Sequence, residues 1–275
     1  MTAIVTTGHC HWNVIDRGDN GRPVIVLLHG FTGCAAVWEE VIDQLRDEYR
    51  CIAVDLPGHG DTRCSDNVDA FQLPVVADQL AALMNELHIA PAILWGYSMG
   101  GRLALQYAVR HPHTLTHLVL ESASPGIADE SQRAERRRSD DALANRIQEI
   151  GVEKFTDEWD ANPIFAGHRR LPVEKRSRMR TLRLRNTADG LGLSLWGMGT
   201  GAQPPLHDQL PTVSIPTLVM VGEEDRKFTE IGLSMSAVLP NARFRIIANT
   251  GHSAYWEQPV ATVACVRDFL GDTAY

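Results

Sequence analysis

Ser98 lies between two glycines in Gly96-Tyr97-Ser98-Met99-Gly100, a spacing that can turn a hydroxyl into a nucleophile or a base. The apolar run Ala92-Ile93-Leu94-Trp95 precedes it, and a helix-like stretch, Arg102-Leu103-Ala104-Leu105-Gln106-Tyr107-Ala108, follows. A strand, a G-x-S-x-G turn and a helix form a nucleophile elbow. The turn is too tight for side chains two places before and after the serine. The helix that starts there aims its N-terminal amides at any oxyanion next to Ser98. Such a serine needs a histidine to take its proton and an acid to hold that histidine in one tautomer.

The elements that position these groups read as follows. Val24-Ile25-Val26-Leu27-Leu28 is a continuous apolar run, as expected of a strand buried on both faces of a parallel sheet. It ends in His29-Gly30-Phe31-Thr32-Gly33. This arrangement resembles the α/β-hydrolases, where the H-G loop supplies one oxyanion-hole N–H, here that of Phe31. The residue after the nucleophile, Met99, supplies the other. His29 is expected to fix its loop by hydrogen bonding. The turn Asp55-Leu56-Pro57-Gly58-His59-Gly60 follows another short strand and reads as scaffold, with Asp55 and His59 organising loops.

In that fold the triad runs in the order Ser, acid, His. His252 follows the strand Arg243-Phe244-Arg245-Ile246-Ile247 on a Gly-preceded loop, and no other histidine of the eleven is placed in this way. The acid is expected after the strand Thr217-Leu218-Val219-Met220-Val221-Gly222. Asp225 is preferred to Glu223 and Glu224 and to Glu121, which ends an earlier strand.

The chain has 275 residues, 44% hydrophobic and 22% charged, ample for a sizeable core. No secretory signal or membrane-spanning run is read, and cytoplasmic location without membrane insertion is expected. The five cysteines, Cys10, Cys34, Cys51, Cys64 and Cys265, form no C-x-x-C pair and read as free thiols. No metal-ligand spacing, cofactor motif or repeat is found. The net charge of −8 argues against nucleic acid as a partner. Strands and helices alternate up to Glu121, then helical patterns dominate, broken near Asn162-Pro163, Leu171-Pro172 and Ala188-Asp189-Gly190. The organisation expected is α/β: a mostly parallel sheet with helices on both faces, its core in residues 1–127 and 201–275, and a helical cap in 128–200. The cap segment holds 14 Lys plus Arg against 12 Asp plus Glu, a net of +2, which leaves −10 for the rest of the chain. Most of its cations are arginines, good carboxylate binders.

A more specific resemblance lies outside the elbow. Glu121-Ser122-Ala123-Ser124-Pro125-Gly126-Ile127, Gln132-Arg133-Ala134-Glu135-Arg136-Arg137-Arg138-Ser139-Asp140, Phe155-Thr156-Asp157-Glu158-Trp159, Pro163-Ile164-Phe165 and Gly197-Met198-Gly199-Thr200-Gly201-Ala202-Gln203-Pro204 resemble the MenH family. Arg102 after Gly100-Gly101 also matches. These are the 2-succinyl-6-hydroxy-2,4-cyclohexadiene-1-carboxylate synthases of menaquinone biosynthesis. The resemblance implies a cofactor-independent lyase that eliminates pyruvate from a substrate bearing three carboxylates. It implies a Ser98, Asp225, His252 triad and substrate contacts from Tyr97, Arg102, Arg136 and Trp159. Two other readings share the same residues: a hydrolase of esters or vinylogous diketones, and a binding protein on this fold that does not turn substrate over.

Overall fold

The computed structural model describes residues 1–272. Eight strands form one sheet: β1 (Thr2–Thr7), β2 (Cys10–Arg17), β3 (Val24–Leu28), β4 (Arg50–Val54), β5 (Ala92–Tyr97), β6 (Leu115–Glu121), β7 (Thr217–Gly222) and β8 (Ala242–Ile247). Their spatial order is β1-β2-β4-β3-β5-β6-β7-β8. The first two strands pair antiparallel with each other, and β2 pairs antiparallel with β4. Every pairing from β4 to β8 is parallel.

The apolar runs explain the layering. Successive strand side chains point to opposite faces, so a run buried throughout feeds two cores. In β3, Val26 and Leu28 face one core, and Ile25 and Leu27 face the other. The first core is closed by α2 (Leu73–Glu86), α3 (Met99–Arg110) and α7 (Arg226–Ser236). The second is closed by α1 (Glu39–Leu45) and α9 (Pro259–Gly271). At about 25 cal/mol per Å2 of apolar surface removed from water, this double burial is the main force holding the sheet.

Between Glu121 and Thr217 the described chain forms no strand. It runs through α4 (Glu130–Asp160), a 3-10 segment over Pro163–Arg170, α5 (Val173–Arg183) and α6 (Ala188–Met198). The proline-marked breaks fall where the sequence places them. Ala188 begins a helix rather than ending one, capped by Thr187, whose hydroxyl accepts from Gly190 N–H at 3.1 Å. One break is additional: α4 is interrupted at Gly151, φ +76°. A small third core of Ala144, Ile147, Phe155, Leu191 and Leu195 joins α4 to α6.

The cysteine reading needs a correction. Cys10 and Cys64 form a disulfide, while Cys34, Cys51 and Cys265 are free. The cause is tertiary. His11 and Arg63 exchange backbone hydrogen bonds of 2.7 and 3.0 Å, which brings the Cα atoms of their cysteine neighbours to 4.2 Å. Two cysteines separated by 54 positions carry no pairing signal in the sequence.

Candidate active site

Ser98 caps α3 with φ +51°, a left-handed conformation costly for a side-chain-bearing residue. A Cβ on Gly96 would run into the Gly100 carbonyl, and one on Gly100 into the Leu28 carbonyl. Glycine is therefore required on both sides of the serine. The turn is anchored by Ser98 N–H donating to Glu121 O at 2.8 Å.

His252 Nε2 lies 3.0 Å from Ser98 Oγ, and His252 Nδ1 lies 2.6 Å from Asp225 Oδ2. His252 is 3% exposed and Asp225 9%, so the acid–histidine pair is shielded from bulk water. Asp225 is also held from below: its other oxygen accepts the Phe228 N–H at 3.4 Å as the cap of α7. Phe228 packs on the imidazole with ring centroids 4.6 Å apart.

The rival acids have other partners. Glu223 accepts the Asn249 N–H at 2.9 Å, and Glu224 pairs with Arg170 at 2.9 Å. Glu121 accepts from Tyr255 N–H at 2.8 Å and Trp95 Nε1 at 3.2 Å. Burial pushes its carboxyl up to about 8. The scaffold expectations for the loops also hold. His29 lies 2.8 Å from its neighbour's carbonyl and accepts the Leu56 N–H at 3.0 Å. The Asp55 carboxylate accepts from Ala35 N–H, Asn13 Nδ2 at 2.8 Å and Asp61 N–H at 2.7 Å.

Met99 is the first residue of α3, so its N–H has no intrahelical acceptor. Phe31 lies in the loop beyond β3, whose tight turn is closed by Gly33 N–H to Gly30 O at 3.0 Å. Phe31, Met99, Ser98 and His252 all border one cavity of about 410 Å3 between the sheet and the helices of residues 130–198.

All four expected substrate residues line that cavity. Arg102 is 8% exposed and donates to Met198 O at 2.7 Å and to Gln203 Oε1 at 3.2 Å, neither of them charged. Burial, reinforced by the nearby Arg136 charge, lowers its pKa to about 10, which leaves it a cation at neutral pH. Arg136 uses Nε to hold Asp140 at 2.7 Å. Trp159 turns its ring edgewise to Phe31 at 5.5 Å, and its buried indole N–H has no acceptor in the protein. Tyr97 is buried beside His252, with ring centroids 5.4 Å apart.

Sequence reasoning did not single out several lining residues. Ser122, at φ +47°, has a buried hydroxyl without a partner. Lys227 lines the cavity next to Phe228. Asp140 accepts from Arg136 and from Gly201 N–H at 2.9 Å. A polar residue in a strand-ending turn was the available signal for Ser122. For Lys227 it was a cation two places after the chosen acid. The lining thus carries Arg102, Arg136 and Lys227 against one acid, Asp140. Such a cavity suits an anion, and the hydrogen-bonded Ser-His-Asp chain beside it can move a proton.

Known proteins with this arrangement can now be compared. A family model described as alpha/beta hydrolase fold matches residues 23–259. A putative 2-succinyl-6-hydroxy-2,4-cyclohexadiene-1-carboxylate synthase from Bacillus subtilis is 37% identical over 97% of this chain and 97% of its own. The synthase of that name from an Enterobacter species is 35% identical over 92% and 93%. Among solved structures, MenH from S. aureus superposes with a TM-score of 0.90 at 33% identity, covering 96% of this chain and 98% of its own. A malate-bound thermophilic esterase from Thermogutta terrifontis superposes at 0.85 with 27% identity, covering 100% and 99%. The chain belongs to the α/β-hydrolase fold family and, within it, to the 2-succinyl-6-hydroxy-2,4-cyclohexadiene-1-carboxylate synthases, the MenH family.

Proposed function

We propose that the protein is a cofactor-independent lyase that eliminates pyruvate from 2-succinyl-5-enolpyruvyl-6-hydroxy-3-cyclohexene-1-carboxylate. The product is 2-succinyl-6-hydroxy-2,4-cyclohexadiene-1-carboxylate, an intermediate of menaquinone biosynthesis. The observation that carries the reading is the pairing of a Ser-His-Asp chain with a cavity whose lining holds three cations and one acid.

His252 takes the proton of Ser98, and Asp225 stabilises the imidazolium. The alkoxide removes the acidic proton beside the succinyl ketone. The ketone oxygen becomes an enolate, held by the N–H groups of Phe31 and Met99. Electrons move through the ring double bond and break the carbon–oxygen bond to enolpyruvate. The expelled enolate takes a proton and leaves as pyruvate. Ser98 acts as a base, so no acyl-enzyme forms. Arg102, Arg136 and the Trp159 N–H bind carboxylates, and Tyr97 shapes the wall beside His252. Residues 128–200 act as the cap over this site.

Ester hydrolysis is the second reading, favoured by the likeness to the Thermogutta terrifontis esterase. Pyruvate release from the enolpyruvyl substrate separates the two. Ser98→Ala, His252→Ala and Asp225→Asn each lower its rate by roughly three orders of magnitude with the fold retained. Near-normal release by Ser98→Ala removes the triad assignment. Neutral esters turned over far better than the triple acid make the protein an esterase.

A further inference from the structure

The loop that carries His252 has no regular secondary structure, yet the imidazole must keep two short hydrogen bonds at once. Glu257 lies just beyond it in α8 (Ala254–Glu257) and is 7% exposed. One carboxylate oxygen accepts the Gly251 N–H at 3.0 Å. The other accepts the Ser253 N–H at 3.4 Å and the Ser253 hydroxyl at 3.3 Å. Gly251 and Ser253 are the residues immediately before and after the histidine, so a single buried carboxylate grips the loop on both sides of it.

The grip continues into the helical segment above the sheet. His168 Nε2 lies 2.5 Å from Ser253 Oγ. Ser253 thus links His168 to Glu257, its hydroxyl within hydrogen-bond reach of both. Burial lowers the His168 pKa to about 4, so the ring is neutral at physiological pH. The backbone of the same segment rests on the carboxylate. A Cβ at Gly167 would occupy the place of Glu257's oxygens. Arg170 adds an outer contact, 3.8 Å from Glu257 Oε2 and 2.9 Å from Glu224 Oε2.

We propose that Glu257 is the positioning residue for His252, and that seating of the 163–170 segment on it, through His168 and Ser253, couples the helical segment to the geometry of the triad. The inference rests on the Ser98–His252–Asp225 reading given above. None of the three residues reaches the reacting atoms, and they act through the histidine. A misplacement of order 1 Å at a catalytic group costs roughly 100-fold in rate.

The test uses the full-length enzyme with two substrates, the enolpyruvyl triple acid and a neutral activated ester. Glu257→Gln keeps size but removes the charge and one acceptor. It lowers kcat by roughly 10- to 100-fold on the triple acid, with KM within about twofold, and lowers the ester rate by a similar factor. A residue that only shaped the carboxylate pocket would instead raise KM for the triple acid and spare the ester. A double-mutant cycle tests the coupling without touching Glu257. Ser253→Ala and His168→Phe each lower kcat several-fold, and the double variant is no slower than the slower single one. Single effects that multiply overturn the coupling. Wild-type kcat in Glu257→Gln overturns the positioning role when His252→Ala, measured beside it, is inactive. A His252→Ala protein at full rate overturns the triad reading and this inference with it.

Discussion

At the scale of single residues, the most telling feature is a buried guanidinium without a carboxylate partner. Arg102 makes its hydrogen bonds to a carbonyl and an amide oxygen only. Burying a cation on neutral partners is costly unless an anion arrives to share the site. Arg136 differs, because it is already paired with Asp140 and its side chain is 40% exposed. The two are therefore expected to respond unequally. Arg102→Ala leaves a buried substrate carboxylate unpaired, a loss of about 2–5 kcal/mol, and triple-acid turnover falls well over tenfold. Arg136→Ala lowers it less, because solvent screens part of that charge. Neutral ester hydrolysis hardly changes in either variant. Steady-state rates on the two substrates check this, and equal losses on both would show that the arginines support the fold rather than the substrate.

At the scale of elements, one buried side chain ties two of the loops around Ser98 to the helical segment. Asn186 is buried between α5 and α6. Its Oδ1 accepts the Gly60 N–H at 2.9 Å, and its Nδ2 donates to Thr32 O at 2.8 Å and to Arg183 O at 2.9 Å. Thr32 follows the proposed oxyanion donor Phe31, so this amide connects the H-G loop, the 55–62 loop and the α5–α6 junction. Asn186→Ala leaves a buried N–H and two carbonyls without their partner, which costs about 1–3 kcal/mol. Urea unfolding should show that loss. The rate should fall as well, since the H-G loop loses its tether. Asn186→Asp restores only the acceptor side and is expected to recover only part of the stability.

At the scale of the whole molecule, two features shape stability. The first is Glu121, buried at the C-terminal end of β6 with its pKa raised by burial to about 8 from an ordinary 4.5. The unfolded chain releases this proton near pH 4.5 and the native protein holds it to about pH 8, so stability falls as pH rises through that window. Glu121→Gln lacks the titration. Its stability relative to the parent should rise between about pH 5 and pH 8 and stay flat outside that range, as measured by denaturant unfolding. The second is the Cys10–Cys64 cross-link, which closes a span of 54 positions. Chain entropy assigns such a loop about 4 kcal/mol. Reductant, or Cys64→Ser, should lower Tm by several degrees, and an unchanged melt would show that the native protein does not depend on the bond.

What the sequence alone determined is what short-range forces dictate. Apolar runs buried throughout mark parallel central strands, because only a sheet covered on both faces accepts them. The glycines around Ser98 mark the elbow, because sterics within five residues require them. The cap arginines and the family motifs pointed to an anionic substrate. The hairpin of β1 and β2 escaped this reading, since β1 is largely exposed and has no buried alternation to betray it. Tertiary structure alone decided the rest. Glu121 ends a strand and Asp225 closely follows one, and local sequence separates them weakly. Sheet order decides between them, because the Asp225 loop and the His252 loop leave neighbouring strands, β7 and β8, while Glu121 turns under Tyr255. The same holds for Ser98 and His252, 154 positions apart, and for Cys10 and Cys64. Local propensity acts over a few residues, whereas contacts of this range exist only once the sheet has brought distant strand ends and loops together.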